Sequence, residues 1–288
     1  MGFKYAVFTV MIPEYRVEDV PRILSIYGYD GVEWRVASIP QIQPVKPSYW
    51  QGNLATIDES RLLEEASKVK KLTEEYGLSI PALGTYFRVP GENLDRVKRG
   101  FEAARIMGAG QIRVSAPRYD GSVNYRILFE KAVNEYRAME RMAEEYGIKC
   151  CVEIHMGTIC PSPSATYRFV SNFDPEYVGV ILDPGNMIHE GYENWLMSLE
   201  ILGEYLAHVH VKNAIWKIIR EEDGAKIWAP THAPIMDGYV YWLDVMKALA
   251  KVGYEGWLSF EDFSDIPTDE KLKRNLEYIR GLEAKIRS

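Results

Sequence analysis

The stretch EEYGIKCCVEIH, residues 144–155, holds a helix end, a turn and a strand. Glu144–Tyr146 close an amphipathic run, and Gly147 supplies the left-handed cap that ends a helix. Ile148–His155 is then a β-rich run in which Cys151, Glu153 and His155 share one face. The same punctuation recurs in SIYGYDGVEWRV (25–36), EEYGLSIPALGTY (74–86), ARIMGAGQIRVSAP (104–117) and AKVGYEGWLSFED (250–262). A βα unit is being repeated.

The spacing predicts strands near 4–10, 31–36, 79–86, 111–116, 149–155, 178–183, 206–212 and 256–262, with helical patterns between most of them. Eight such units in 288 residues predict one α/β domain spanning 1–288, a single (β/α)8 TIM barrel. A doubly wound open sheet usually carries a glycine-rich phosphate loop, and neither G-x-G-x-x-G nor G-x-x-x-x-G-K-[ST] occurs. Two connections are long: 37–56, rich in Pro and Gln, and 213–238, with Trp216, Trp228 and the charged REEDGAK. Both follow predicted strand ends, where loops of this length carry function or move.

Composition narrows the partners. The chain is 47% hydrophobic and 26% charged, with a net charge of −7. The negative balance argues against nucleic acid. The apolar run at the N-terminus is too short to span a membrane. Cys150, Cys151 and Cys160, an odd total with two adjacent and no secretory signal, point to a reducing cytoplasmic setting. A homo-oligomer stays open.

Chemistry collects at the ends of the late strands. LAHVHVKN, residues 206–213, places His208, His210 and Lys212 on one face and its valines on the other. Glu153 lies on the fifth strand, Asp183 ends the sixth ahead of Pro184, and Glu261 ends the eighth in phase with Trp257 and Ser259. In a barrel, the face opposite the helix-packing residues points inward, so Glu153, Asp183, His210 and Glu261 converge at its top. Three carboxylates crowded in a cavity need compensation, which a divalent cation supplies. This ligand set suits Mn2+, Mg2+ or Co2+, and admits Zn2+. His208, one rung lower, fits a buried hydrogen bond rather than ligation. His155 lies nearer the mouth and reads as a substrate or near-metal residue, or as a structural histidine. His189 is open between function and structure, His232 reads as a solvated or lid residue, and Cys151 as packing. No nucleophile elbow or Cys-x-x-C site is present.

At these residues the chain resembles the xylose isomerase-like barrel superfamily, the sugar-phosphate isomerase/epimerase group that includes the ketose 3-epimerases and endonuclease IV. CVEIHMGTICPSPS, VGVILDPGNMIHEG, LAHVHVKN and DGYVYWLDVMKALAKVGYEGWLSFED carry the resemblance, which follows the whole order of elements and is strongest over 149–263. It implies that Glu153, Asp183, His210 and Glu261 hold one divalent metal, and that Glu153 and Glu261 exchange a proton at the substrate carbon. Asn186 stands where relatives often have a histidine beside the metal. The usual Gly-Glu-Gly before the seventh helix is Met236-Asp237-Gly238 here, which puts any role of that glutamate in doubt. The three-zinc endonuclease branch needs histidines from earlier strands, and all five histidines lie after residue 150.

The expected activity is isomerisation or epimerisation of a small sugar, keto-sugar or polyol derivative, by proton abstraction α to a carbonyl with an enediolate intermediate. A lyase acting on a keto-polyol of the inosose type uses the same α-proton chemistry. An endonuclease-like phosphodiesterase and a noncatalytic sugar binder are the remaining alternatives. Lys212 points at the same cavity, to stabilise charge or move a proton, or simply to pair with a carboxylate. Glu33, Arg35 and Arg113 are in-phase polar residues of the early strands that orient substrate groups or pair with one another inside the barrel. Trp50, Trp216 and Trp228 offer faces for a sugar, or lid packing, or a subunit contact.

Overall fold

The computed structural model describes residues 2–40 and 46–287. In chain order the elements are β1 (Lys4–Phe8), α1 (Val20–Tyr27), β2 (Gly31–Ala37), β3 (Thr56–Asp58), α2 (Leu62–Glu75), β4 (Ala82–Thr85) and α3 (Leu94–Met107). Next come β5 (Gln111–Arg113), α4 (Tyr125–Tyr146), β6 (Lys149–Glu153), α5 (Pro163–Val170), β7 (Val178–Leu182), α6 (Pro184–Glu190) and α7 (Trp195–Leu202). The chain ends with β8 (Leu206–Val211), β9 (Asn213–Glu222), β10 (Ala225–Ala233), α8 (Trp242–Lys251), β11 (Trp257–Phe260) and α9 (Thr268–Arg287).

β1, β2, β4, β5, β6, β7, β8 and β11 pair in parallel and close on themselves through β1–β2 and β1–β11. This is the eight-stranded α/β barrel that the sequence predicts. The helices are held as their sequences dictate. In α8 the buried residues Trp242, Val245, Met246 and Leu249 recur at helical spacing and form one stripe against the barrel. Gly108 and Gly147 end α3 and α4 at φ +73° and +64°, a region in which a side chain is strained. Trp34, Val152, Val180, Val209 and Leu258 face the helices and are fully buried. Burying each such side chain stabilises the fold by about 1.5–3 kcal/mol.

The barrel interior is less apolar than its outer layer. Glu33, Gln111, Arg113, Glu153, His208, His210 and Ser259 are buried inside or at its upper end. Phe8 fills the middle, and a Cβ on Gly84 would meet its ring at 2.3 Å. A register shift between β7 and β8 sets Val180 opposite Leu206 and Ile181 opposite His208. The extra residue, Ala207, packs where a side chain on Gly179 would collide with it at 2.7 Å.

Two segments differ from the sequence reading. Residues 213–233 are an antiparallel hairpin, β9 with β10, rather than an irregular loop. Its turn is Asp223-Gly224, both at positive φ, as a two-residue hairpin turn of the right twist requires. The connection after β2 contributes β3, a short strand parallel to the upper end of β2; residues 41–45 of that connection lie outside the described residues. Several strands are also shorter than predicted, with β4 and β5 spanning only Ala82–Thr85 and Gln111–Arg113.

Candidate metal centre

Glu153, Asp183, His210 and Glu261 each bring a ligand atom to within 4.8 Å of the others, and all four are buried. Each owes its place to a local rule. Glu153 ends β6, in phase with the inward Cys151. Asp183 follows β7 and caps α6, its Oδ1 accepting the Asn186 N–H at 2.9 Å. Pro184 occupies the first helical position, which needs no donor. His210 lies one strand period beyond His208 on β8, and Glu261 follows β11.

His210 is held from both sides. Its Nδ1 lies 3.0 Å from Glu153 Oε1, 3.8 Å from Asp183 Oδ2 and 3.9 Å from Glu261 Oε2. Its Nε2 lies 3.3 Å from both oxygens of Glu33, whose Oε2 also meets His208 Nε2 at 3.0 Å. Phe8 stacks on the imidazole with ring centres 5.7 Å apart. With Nε2–H donating to Glu33, the Nδ1 lone pair faces the three carboxylates, the tautomer a metal requires.

Charge balance supports the same reading. Glu33, Glu153, Asp183 and Glu261 face the two permanent cations Arg113 and Lys212, which leaves two negative charges in excess. Arg113 Nη1 donates to Glu153 Oε2 at 2.7 Å, and Lys212 Nζ to Glu261 Oε2 at 2.6 Å and Asp183 Oδ2 at 3.3 Å. Burial works against the Glu153 carboxylate, but Arg113 and His210 outweigh it and hold it well below the usual carboxylate range. Burial likewise opposes Glu33, which His210 and His208 hold well below that range. Burial raises Glu261, and Lys212 and His210 only partly offset this. Burial opposes a charge on His210, yet Glu33, Asp183 and Glu153 raise it well above the ordinary imidazole value. The surrounding carboxylates thus favour the charged form of this imidazole, which acts in the direction of reducing the excess. One divalent cation, with His210 neutral, removes the excess fully. Hard oxygen donors with a single imidazole fit that group.

A cavity of about 320 Å3 opens above this cluster, with Glu153, Glu261, Lys212, Arg113 and His155 in its wall. His155 Nδ1 bonds to the Met156 carbonyl oxygen at 2.7 Å. Asn186 is fully buried and does not line the cavity. Its Nδ2 donates to the Ile154 carbonyl at 3.1 Å and to Glu153 Oε1 at 3.4 Å, so it braces Glu153 from behind. Glu33 also lies outside the cavity wall, beneath the imidazoles. Glu33, Arg35 and Arg113 do not pair with one another: Arg35 bonds Tyr86 Oη and Thr56 Oγ1 instead. Trp50 lines the mouth, Trp216 donates Nε1–H to the Ile188 carbonyl at 2.8 Å, and Trp228 is exposed on the hairpin. His232 joins the cavity wall, its charged form disfavoured by burial and by Lys212, which lower it to about 4. Sequence reasoning missed Tyr86, Arg88, Ser115 and Arg118, which also line the cavity from the segments after β4 and β5. The signal was a basic residue just beyond each of two short strands.

The family model described as xylose isomerase-like TIM barrel matches residues 21–282. Among curated proteins the chain is similar to inosose dehydratase 2 of Bacillus cereus (strain ZK / E33L), 27% identical over 146 residues, 48% of each chain. The chain spans about half the length of the curated relatives it matches. Among solved structures it is similar to apo 3-keto-D-glucoside 4-epimerase from E. coli, with a TM-score of 0.72 at 16% identity, covering 97% of this chain and 99% of that one. It is also similar to a xylose isomerase-like TIM barrel protein from Mycobacterium smegmatis in complex with magnesium, with a TM-score of 0.71 at 17% identity, covering 99% and 98%.

Proposed function

The chain belongs to the xylose isomerase-like TIM barrel family, and from that premise we propose that it is a divalent-metal enzyme acting on a small polyhydroxylated carbonyl compound. Its reaction begins by removing the proton α to the carbonyl. The observation that carries this reading is His210, whose Nε2 is tied to Glu33 while its Nδ1 faces three carboxylates, two of which, Glu153 and Glu261, line a cavity. Glu153, Asp183, His210 and Glu261 would hold the ion, with Mn2+, Mg2+ or Co2+ preferred by the oxygen-rich set and Zn2+ admissible. When bound, a divalent ion supplies Lewis acidity, polarising the carbonyl and stabilising negative charge on its oxygen.

The protein's own groups do the rest. Glu153, kept ionised by Arg113, is suited to take the proton. Glu261, raised by burial, is suited to hold one and return it. Lys212 donates to Glu261 and orients it, and is placed to stabilise charge at the cavity floor. His155 and Arg113 face the substrate space, while Asn186 and Glu33 act on the substrate through Glu153 and His210. Return of the proton to the same or the neighbouring carbon gives an epimerase or isomerase.

A second reading is favoured by the similarity to an inosose dehydratase. There the acid protonates a departing hydroxyl and the enzyme is a lyase. The two share the first proton transfer, so one experiment addresses both. Ketoses, inososes and hydroxypyruvate are incubated with protein and Mn2+ in deuterated water and followed by NMR. Deuterium at the α carbon with retained composition identifies the isomerase or epimerase, and loss of water the lyase. Glu153→Gln and Glu261→Gln should each abolish exchange with the fold intact; full activity in both variants on a turned-over substrate refutes the mechanism. Cytoplasmic residence belongs to this proposal, and no helix among the described residues is long and apolar enough to cross a membrane.

A further inference from the structure

The cavity is polarised. Its floor is the acid cluster, whereas one wall carries three guanidinium groups, Arg88, Arg113 and Arg118. Arg113 is neutralised by Glu153. The other two are not: among the described residues neither Arg88 nor Arg118 forms a salt bridge, and the Arg88 side chain donates from Nη1 to the Ala116 carbonyl at 2.5 Å. Arg88 is half-buried and Arg118 exposed at the rim. Burial, then Arg118 and Arg113, pull Arg88 down to about 10. Like charges are thus held together, partly out of water, on a protein whose net charge is −7. A local basic wall set against the global field is suited to select an anion. Guanidinium groups also present paired donors that match a carboxylate or phosphate.

We propose that the substrate carries an anionic group, a carboxylate or a phosphate, seated on Arg88 and Arg118 while its carbonyl end faces the acid cluster. This rests on the reading of the cavity as the site of α-proton chemistry. It also gives the substrate one orientation, because the anion is drawn to the unpaired guanidinium groups of the wall while the charges of the metal-loaded floor are balanced. Tyr86 and Ser115 also line the cavity and offer hydroxyl groups to those of the substrate.

The test uses isothermal titration calorimetry of the Mn2+-loaded protein with three probes: D-fructose, D-fructuronate and D-fructose 6-phosphate. At least one charged probe should bind ten or more times tighter than D-fructose (order of magnitude for one charge-assisted bidentate contact), and which one does so separates carboxylate from phosphate. Arg88→Gln/Arg118→Gln should bring that ratio close to one. Arg118→Gln alone, at an exposed position that leaves the fold intact, should reduce it severalfold. Equal affinity for the three probes, no binding by any of them, or a ratio that survives both variants overturns the proposal. Its failure is distinguishable from failure of the functional reading. Deuterium exchange on a neutral ketose without anion preference leaves the α-proton chemistry standing, whereas anion preference without exchange on any probe leaves the subsite standing and removes the chemistry.

Discussion

Glu33→Gln tests the centre from outside its ligand set. Glu33 is fully buried and touches no substrate space, but it accepts from both imidazoles. The substitution keeps the volume and one acceptor oxygen and removes the charge. It should loosen the tautomer of His210 and leave the loaded centre with one positive charge in excess, since three carboxylates would then face Arg113, Lys212 and the ion. Losing a group that orients a ligating imidazole typically weakens metal affinity by about 10–100-fold, roughly 1.4–2.8 kcal/mol. In the metal-free protein two effects oppose. The lost charge-assisted bonds cost about 1.5–3 kcal/mol, and relief of like-charge crowding offsets part of that. Titration with Mn2+ by calorimetry, paired with melting curves in chelator and in excess Mn2+, separates the terms. The metal-induced gain in melting temperature should shrink, because stabilisation by a ligand follows its affinity. An Mn2+ affinity within about twofold of the parent (against the tenfold minimum expected) would refute the reasoning that Glu33 sets the ligating nitrogen.

Three further outcomes are expected. His210→Asn should harm Mn2+ affinity more than His208→Asn, since only His210 faces the three carboxylates; calorimetry giving the reverse ranking would assign the wrong imidazole to the ion. Gly84→Ala should cost about 1–3 kcal/mol by overpacking, because the new methyl would sit 2.3 Å from the Phe8 ring that stacks on His210; an unchanged melting temperature and Mn2+ affinity would contradict that packing. Burial pushes Cys150 up to about 12 and raises Cys151 and Cys160 as well. All three thiols are inside the protein. A raised pKa keeps them protonated, so a disulfide reagent should label none from roughly pH 7 to 9 until the chain is unfolded; rapid labelling of the native protein would count against these burials.

The barrel was legible because its grammar is local. Gly28, Gly77, Gly108, Gly147 and Gly253 all adopt positive φ, and each stands just ahead of a strand, so the chain announces its own period. The cluster was legible for a different reason: alternation fixes which side chains point inward, and polar residues in inward phase are costly enough to be conspicuous. The hairpin escaped because its tip is charged and its register breaks between Ile227 and Trp228, which blurs the alternation. Asp223-Gly224 was the overlooked sign. Arg88 and Arg118 escaped because they lie beyond strand ends, where phase no longer says which way a side chain turns; only the folded loops bring them to the cavity. The partners of Glu33 and Arg35 escaped too, since phase gives a face and not the neighbour across the barrel.

The two oxygens of Asp183 have separate employers. Oδ1 is committed to the first turn of α6, and Oδ2 alone looks toward Lys212 and His210. Asparagine at this position would keep an oxygen for the turn and surrender the anionic donor. Architecture and the proposed ligation, joined in one carboxylate by the native chain, are separable there by exchanging a single atom.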